Sequence, residues 1–80
     1  MEVRVYGTGC AKCDALAENV RRAAAELEIA VELEKVTSVP AIAAAGVILT
    51  PALGIDGRIR SSGRLLSVDE IGDLLREAQT

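Results

Sequence analysis

The sequence predicts an α/β fold with the element order βαβαββα, and three observations carry that prediction. An alternating stretch, Glu2 to Tyr6, gives way from Ala11 to a long run of helical period and then to a second alternating stretch, Val31 to Val36. Apolar residues at period two mark a half-buried strand and recurrence every three or four positions marks a helix, so these stretches form a right-handed βαβ unit with parallel strands. Asp56-Gly57, between an apolar run and a polar one, marks a two-residue hairpin. Ser67-Val68-Asp69-Glu70 is a capping box that opens a terminal helix.

Along the chain, Val3 and Val5 share one face of the first strand. In the long helix Leu16, Val20, Ala24 and Leu27 recur inward, Glu18 and Arg22 form an i, i+4 pair outside, and Asp14 puts a negative charge in the first turn. The second strand sets Val31, Leu33 and Lys35 against Glu32, Glu34 and Val36. Thr37 and Ser38 offer capping oxygens, Pro40 fits a first turn, and Gly46 stops a short helix over Ala41 to Ala45. Val47 to Thr50 then leads to Pro51. Ala52 to Ile55 is an apolar strand in which Gly54 marks a bulge or a close backbone approach. Arg58 to Ser62 is the return strand, and the last helix turns Ile71, Leu74 and Leu75 inward. With no repeat, linker or low-complexity tract, residues 1–80 are expected to form a single domain.

A chain of 80 residues buries only about 60% of the surface its unfolded form exposes, so its core must be efficient. Half the residues are apolar, yet Phe and Trp are absent and Tyr6 is the one aromatic, so the core is aliphatic. A net charge of −3, no basic run and no aromatic platform for bases argue against nucleic-acid binding. The longest apolar stretch, Ala41 to Leu49, is interrupted by Gly46 and falls short of the roughly 20 residues of a membrane span. Glu2 stands where a signal peptide would be basic. The expectation is a monomeric, cytoplasmic chain with no membrane partner.

The chemistry concentrates in Gly7-Thr8-Gly9-Cys10-Ala11-Lys12-Cys13, which holds both cysteines. Two thiols three positions apart on a first helical turn face the same side, so they can close a disulfide or hold a soft metal, and the spacing alone leaves both open. Unpaired N–H groups and the positive end of the helix dipole stabilise a thiolate, drawing Cys10 below the ordinary thiol pKa of about 8.5 and making it the better nucleophile. Gly7 and Gly9 turn the backbone out of the strand and leave the sulfur uncovered. A pair this close closes no long loop, which points to redox or metal chemistry rather than architecture. A structural zinc site takes about four ligands, and this chain has two cysteines and no histidine, leaving only a zinc bridging a dimer. Binding or delivery of Cu(I) by the two thiolates is the alternative reading. Against it, the copper-chaperone type of domain ends in a strand and carries a Met before its C-x-x-C, whereas this chain ends in a capped helix and lacks that Met.

The motifs G-T-G-C-A-K-C at 7–13, T-P-A-L at 50–53, I-D-G at 55–57 and S-G-R at 62–64, spaced across essentially the whole chain, resemble the small, glutaredoxin-sized redox-active disulfide proteins of the thioredoxin fold. The resemblance implies a four-stranded mixed sheet with helices on both faces, the first and last on one and the middle helix on the other. It implies Cys10 and Cys13 as the catalytic pair, closing a redox-active disulfide, with Cys10 attacking and Cys13 resolving. It further implies a cis Thr50-Pro51 bond beside that pair and a substrate groove of Thr8, Gly9, Ala11, Lys12, Thr50, Pro51 and Gly63. The partners implied are protein disulfides and a separate thioredoxin-reductase-type electron donor, with no cofactor and no metal. Departures from the typical pattern are Ala11-Lys12 between the cysteines, where thioredoxins carry Gly-Pro and glutaredoxins Pro-Tyr, and the lack of a buried acid in Val3-Arg4-Val5-Tyr6. The stretch from Ser61 to Asp69 replaces the Gly-Gly-x-Asp turn of glutaredoxins. Tyr6 is expected to fill space rather than contact the disulfide.

Overall fold

The computed structural model describes residues 1–9 and 11–79, in which the elements are β1 (Glu2–Tyr6), α1 (Ala11–Leu27), β2 (Glu32–Val36), α2 (Val39–Ala44), β3 (Ala52–Ile55), β4 (Arg58–Ser62) and α3 (Val68–Gln79). The strands form one sheet in the order β2-β1-β3-β4. β1 runs parallel to β2, with Val3 opposite Leu33 and Tyr6 opposite Val36. It runs antiparallel to β3, with Val3 opposite Ile55 and Tyr6 opposite Ala52. β4 returns antiparallel to β3 through the turn at Asp56-Gly57. This is the mixed α/β architecture the sequence predicts.

Alternation along β1 and β3 sends side chains to two cores. Val3, Val5, Leu53 and Ile55 meet Leu16, Ala17 and Val20 of α1 and Ile71 and Leu75 of α3 on one face. Tyr6 and Ala52 meet Ile42 of α2 and Val47 on the other. Burying each of the larger aliphatic side chains is worth about 1.5–3 kcal/mol. The alanines of α1 on this face, Ala17, Ala23 and Ala24, are buried as well, and their small size lets the helix lie close on its neighbours. Leu27 and Leu74, expected inward, are only half-buried at the rim of the larger core.

Local details depart from the sequence reading in ways that have physical causes. The short helix starts two residues earlier than its apolar run, because the Ser38 hydroxyl caps it by accepting a hydrogen bond from the Ala41 N–H and Pro40 sits in its first turn. Val31 lies outside β2 but still packs on the larger core. Glu18 pairs with Arg21 at 3.4 Å, not with Arg22; on a helix both three and four positions bring side chains within reach, and here the nearer spacing is the one used. Asp14 reaches across to Lys35 at 3.0 Å. Of the alternatives for Gly54 the bulge is realised, and the close approach to it comes from a side chain and not from another backbone. The register slips between Leu53 and Gly54, so that β4 carries an extra residue at Arg60, and a Cβ on Gly54 would lie 3.1 Å from the Tyr6 ring.

One helix end is closed by backbone hydrogen bonds and another by side chains. α1 terminates through Glu28 at φ 55°, with the Ile29 N–H bonded to the Ala24 carbonyl at 2.9 Å, a Schellman closure built without glycine. The capping box of α3 is complete: the Glu70 N–H donates to the Ser67 hydroxyl at 3.1 Å and the Ser67 N–H donates to the Glu70 carboxylate at 3.0 Å. The loop ahead of it is fastened to α1 by the Asn19 side-chain amide, which donates to the Leu66 carbonyl at 2.9 Å. No helix among the described residues is long and apolar enough to cross a membrane.

Candidate active site

Strand register assembles one end of the sheet. Tyr6 pairs with Ala52 and with Val36, and Ala52 pairs with Ser62, so the residues just beyond these pairs, Gly7, Pro51 and Gly63, gather at the same edge. α1 begins there too, at Ala11. Cys10 lies outside the described residues, whereas Cys13, one turn into the helix, is 4% exposed and disulfide-bonded. Gly7 is pressed against it. A Cβ on Gly7 would overlap the Cys13 sulfur and lie 3.0 Å from the Cys13 Cβ and 3.9 Å from the Thr50 Cβ. Gly7 is thus a surface on which the helix cysteine and the Thr50 segment converge.

The Thr50-Pro51 peptide bond is cis. Pro51 is buried and Thr50 exposed. On either side of Thr50 the backbone is held by the end of β4. The Ser62 hydroxyl donates to the Leu49 carbonyl at 3.0 Å, and the Gly63 N–H donates to the Pro51 carbonyl at 2.9 Å. Gly63 has φ +76°, and a Cβ there would come within 3.0 Å of the Leu49 Cβ, so both its conformation and the close approach call for glycine. Thr50 itself makes no hydrogen bond with any other described residue.

Of the groove residues named from sequence, Thr8 and Thr50 line a common depression of about 230 Å³ against α2, and Gly63 is bonded to Pro51. Gly9, Ala11 and Lys12 are exposed around the start of α1. Arg64 is drawn off toward α3, where it pairs with Glu70 at 2.8 Å. Two features escaped the sequence reading. One is the Ser62 tie. The other is an apolar rim: Val39, Ile42, Val47 and Ile48 complete the depression, with Ile48 92% exposed and Leu49 61% exposed beside it. The run Ala41 to Leu49 carried the signal, but only the position of α2 reveals which of its side chains stay uncovered. Among the described residues no charged side chain lines the depression. Among the described residues no three His, Cys, Asp or Glu side chains cluster so as to hold a metal ion.

A family model described as a thioredoxin domain matches residues 1–76. The chain is similar to a thioredoxin of Methanothermobacter thermautotrophicus, 41% identical over 75 residues that cover 94% of this chain and 97% of that protein. It is similar also to a thioredoxin of Methanocaldococcus jannaschii, 43% identical over 74 residues that cover 92% of this chain and 85% of that protein.

Proposed function

The chain belongs to the thioredoxin family and is a thiol-disulfide oxidoreductase, and on that premise we propose that Cys10 and Cys13 are its redox pair and that protein disulfides are its substrates. The Cys10 thiolate attacks one sulfur of a substrate disulfide. The substrate S–S bond breaks, a mixed disulfide with Cys10 forms, and the other substrate sulfur leaves as a thiolate that takes up a proton. Cys13, deprotonated, then attacks the Cys10 sulfur, releases the second substrate thiol and closes the Cys10-Cys13 disulfide. Two electrons pass from the pair to the substrate, and a separate reductase of the thioredoxin-reductase type returns them. The pair needs no further cofactor.

The observation that carries this reading is the convergence of Gly7, Cys13 and Thr50 ahead of Pro51, with the Thr50 backbone groups bonded to no other described residue. A substrate strand pairs with Thr50 by strand addition, and the groove runs along Thr8, Gly9, Ala11, Lys12, Pro51 and Gly63. Cys13 is 4% exposed, which suits a resolving thiol that meets only an intramolecular disulfide. The protein acts as a single-domain cytoplasmic monomer.

The assignment of roles is tested by trapping. Cys13→Ser leaves a nucleophile without its resolver, so mixed disulfides with substrates accumulate on a non-reducing gel, whereas Cys10→Ser accumulates few or none. A titration of the reduced protein in graded thiol/disulfide buffer, repeated with Cu(I) and Zn(II), gives a reversible two-electron transition. Tight metal binding without an accessible disulfide, or trapping by the Cys10 variant alone, defeats the proposal.

A further inference from the structure

Three carbonyl-bearing residues, Leu49, Thr50 and Pro51, pass the redox edge in sequence, and their hydrogen bonding is uneven. The two outer carbonyls are occupied from β4, that of Leu49 by the Ser62 hydroxyl at 3.0 Å and that of Pro51 by the Gly63 N–H at 2.9 Å. The middle residue is left with both backbone groups unused among the described residues. Ser62 is exposed and pairs with Ala52 at the last rung of the sheet. Its hydroxyl is therefore fixed by the ladder at one end and grips the neighbouring segment at the other.

Beyond the Gly63 bond to Pro51, the segment gripped is anchored at its ends by the buried Val47 and Pro51. Ile48 and Leu49 are 92% and 61% exposed, so side-chain burial does not fix the chain between them. The hydroxyl contact and the packing of Leu49 on Gly63 are what tie this stretch to the sheet from the β4 side. A freely rotating Leu49 carbonyl would also compete for an incoming substrate N–H and blur the register of the added strand.

Resting on the reading that substrates pair with Thr50, we infer that Ser62 is a positioning residue for protein substrates: its hydroxyl occupies the Leu49 carbonyl, holds the Leu49-Thr50-Pro51 backbone in its pairing geometry and leaves Thr50 as the sole docking rung. Ser62 touches no reacting atom. Its effect is on binding of an extended chain and not on sulfur chemistry, because a small disulfide reaches the cysteines without a strand partner.

The test compares two substrates. With insulin as the protein disulfide and 2-hydroxyethyl disulfide as the small one, Ser62→Ala raises KM for insulin about three- to tenfold, the worth of one hydrogen bond, with kcat for insulin and both constants for the small disulfide unchanged. Ser62→Thr retains a hydroxyl and restores the insulin KM. In amide hydrogen exchange, Gly63 exchanges faster in Ser62→Ala than in the wild type, and Ser62→Thr returns it to the wild-type rate. Equal losses on both substrates, an unchanged insulin KM, or failure of threonine to rescue overturns the inference. If the wild type reduces the small disulfide and insulin while Ser62→Ala matches it throughout, only the role of Ser62 falls. If the wild type reduces neither, the redox reading falls and takes this inference with it.

Discussion

Gly7→Ala puts a single methyl group where the structure has no room. The backbone at Gly7 is not in the left-handed region, so alanine costs nothing there in conformation, and the whole penalty is steric. The new Cβ overlaps the Cys13 sulfur and comes within 3.0 Å of the Cys13 Cβ. Cys13 is 4% exposed and Gly7 is buried at the end of β1, so neither moves aside without disturbing α1 or the sheet. Overpacking of this kind costs about 1–3 kcal/mol, and a full overlap belongs at the upper end. In a domain of this size that lowers Tm by about 4–8 °C for each kcal/mol. Gly9→Ala is the control, since Gly9 has φ +85° and open space around it. Alanine there pays only the left-handed penalty of about 1 kcal/mol. The assay is urea unfolding of reduced protein, run also in a Cys13→Ala background. Removing the sulfur removes the worst overlap, so the cost of Gly7→Ala falls by about 1 kcal/mol or more, a coupling well above the usual additivity error. A Gly7→Ala variant within about 0.5 kcal/mol of wild type, the range of ordinary surface changes, or one whose cost is the same with and without the sulfur, refutes the steric reasoning and the placement of Cys13 against β1.

Glu28 closes α1 at φ 55°, so Glu28→Gly relieves left-handed strain and raises the urea midpoint by the equivalent of about 0.5–1 kcal/mol without changing the slope; a lower midpoint would contradict the C-cap assignment. The backbone N–H of Ser67, and after it the Arg64 guanidinium, hold the Glu70 carboxyl below the ordinary range for glutamate. Because the folded value is depressed, the stabilisation this group supplies is present above the unfolded glutamate pKa and is lost as pH falls through the folded value. In an NMR titration Glu70 therefore has a midpoint below those of freely exposed glutamates, and Arg64→Gln moves it upward only part of the way, since the Ser67 bond persists; full return to the ordinary value would show that Arg64 alone sets it.

What the sequence determined by itself is local. Alternation in Val3-Arg4-Val5, helical recurrence through Leu16 and Val20, the Asp56-Gly57 turn and the Ser67 to Glu70 capping box each encode an element within a few residues, because backbone conformation, capping and one-sided burial act at that range. The motif 7–13 likewise marked the turn from strand to helix at which Gly7 meets Cys13, and the T-P-A-L and S-G-R motifs pointed to residues that the fold brings beside it. Side-chain partners on exposed helix surface were not legible: Glu18 takes Arg21 in place of Arg22, since two spacings are nearly equal in energy there. Tertiary structure alone decided how the distant motifs meet. Register through Tyr6, Ala52 and Ser62 brings Gly7, Pro51 and Gly63 to one edge, and the Leu53/Gly54 bulge changes which β4 side chains share a face with β3. It also decided that the apolar Ile48 and Leu49 stay exposed beside the cis proline. The reason is that α2 packs through Ile42 on Tyr6, Ala52 and Val47, with Val36 and Ala45 at the margin, and Ile48 and Leu49 lie outside that cluster. Burial depends on what lies opposite a residue in space, and no periodicity in the chain records that.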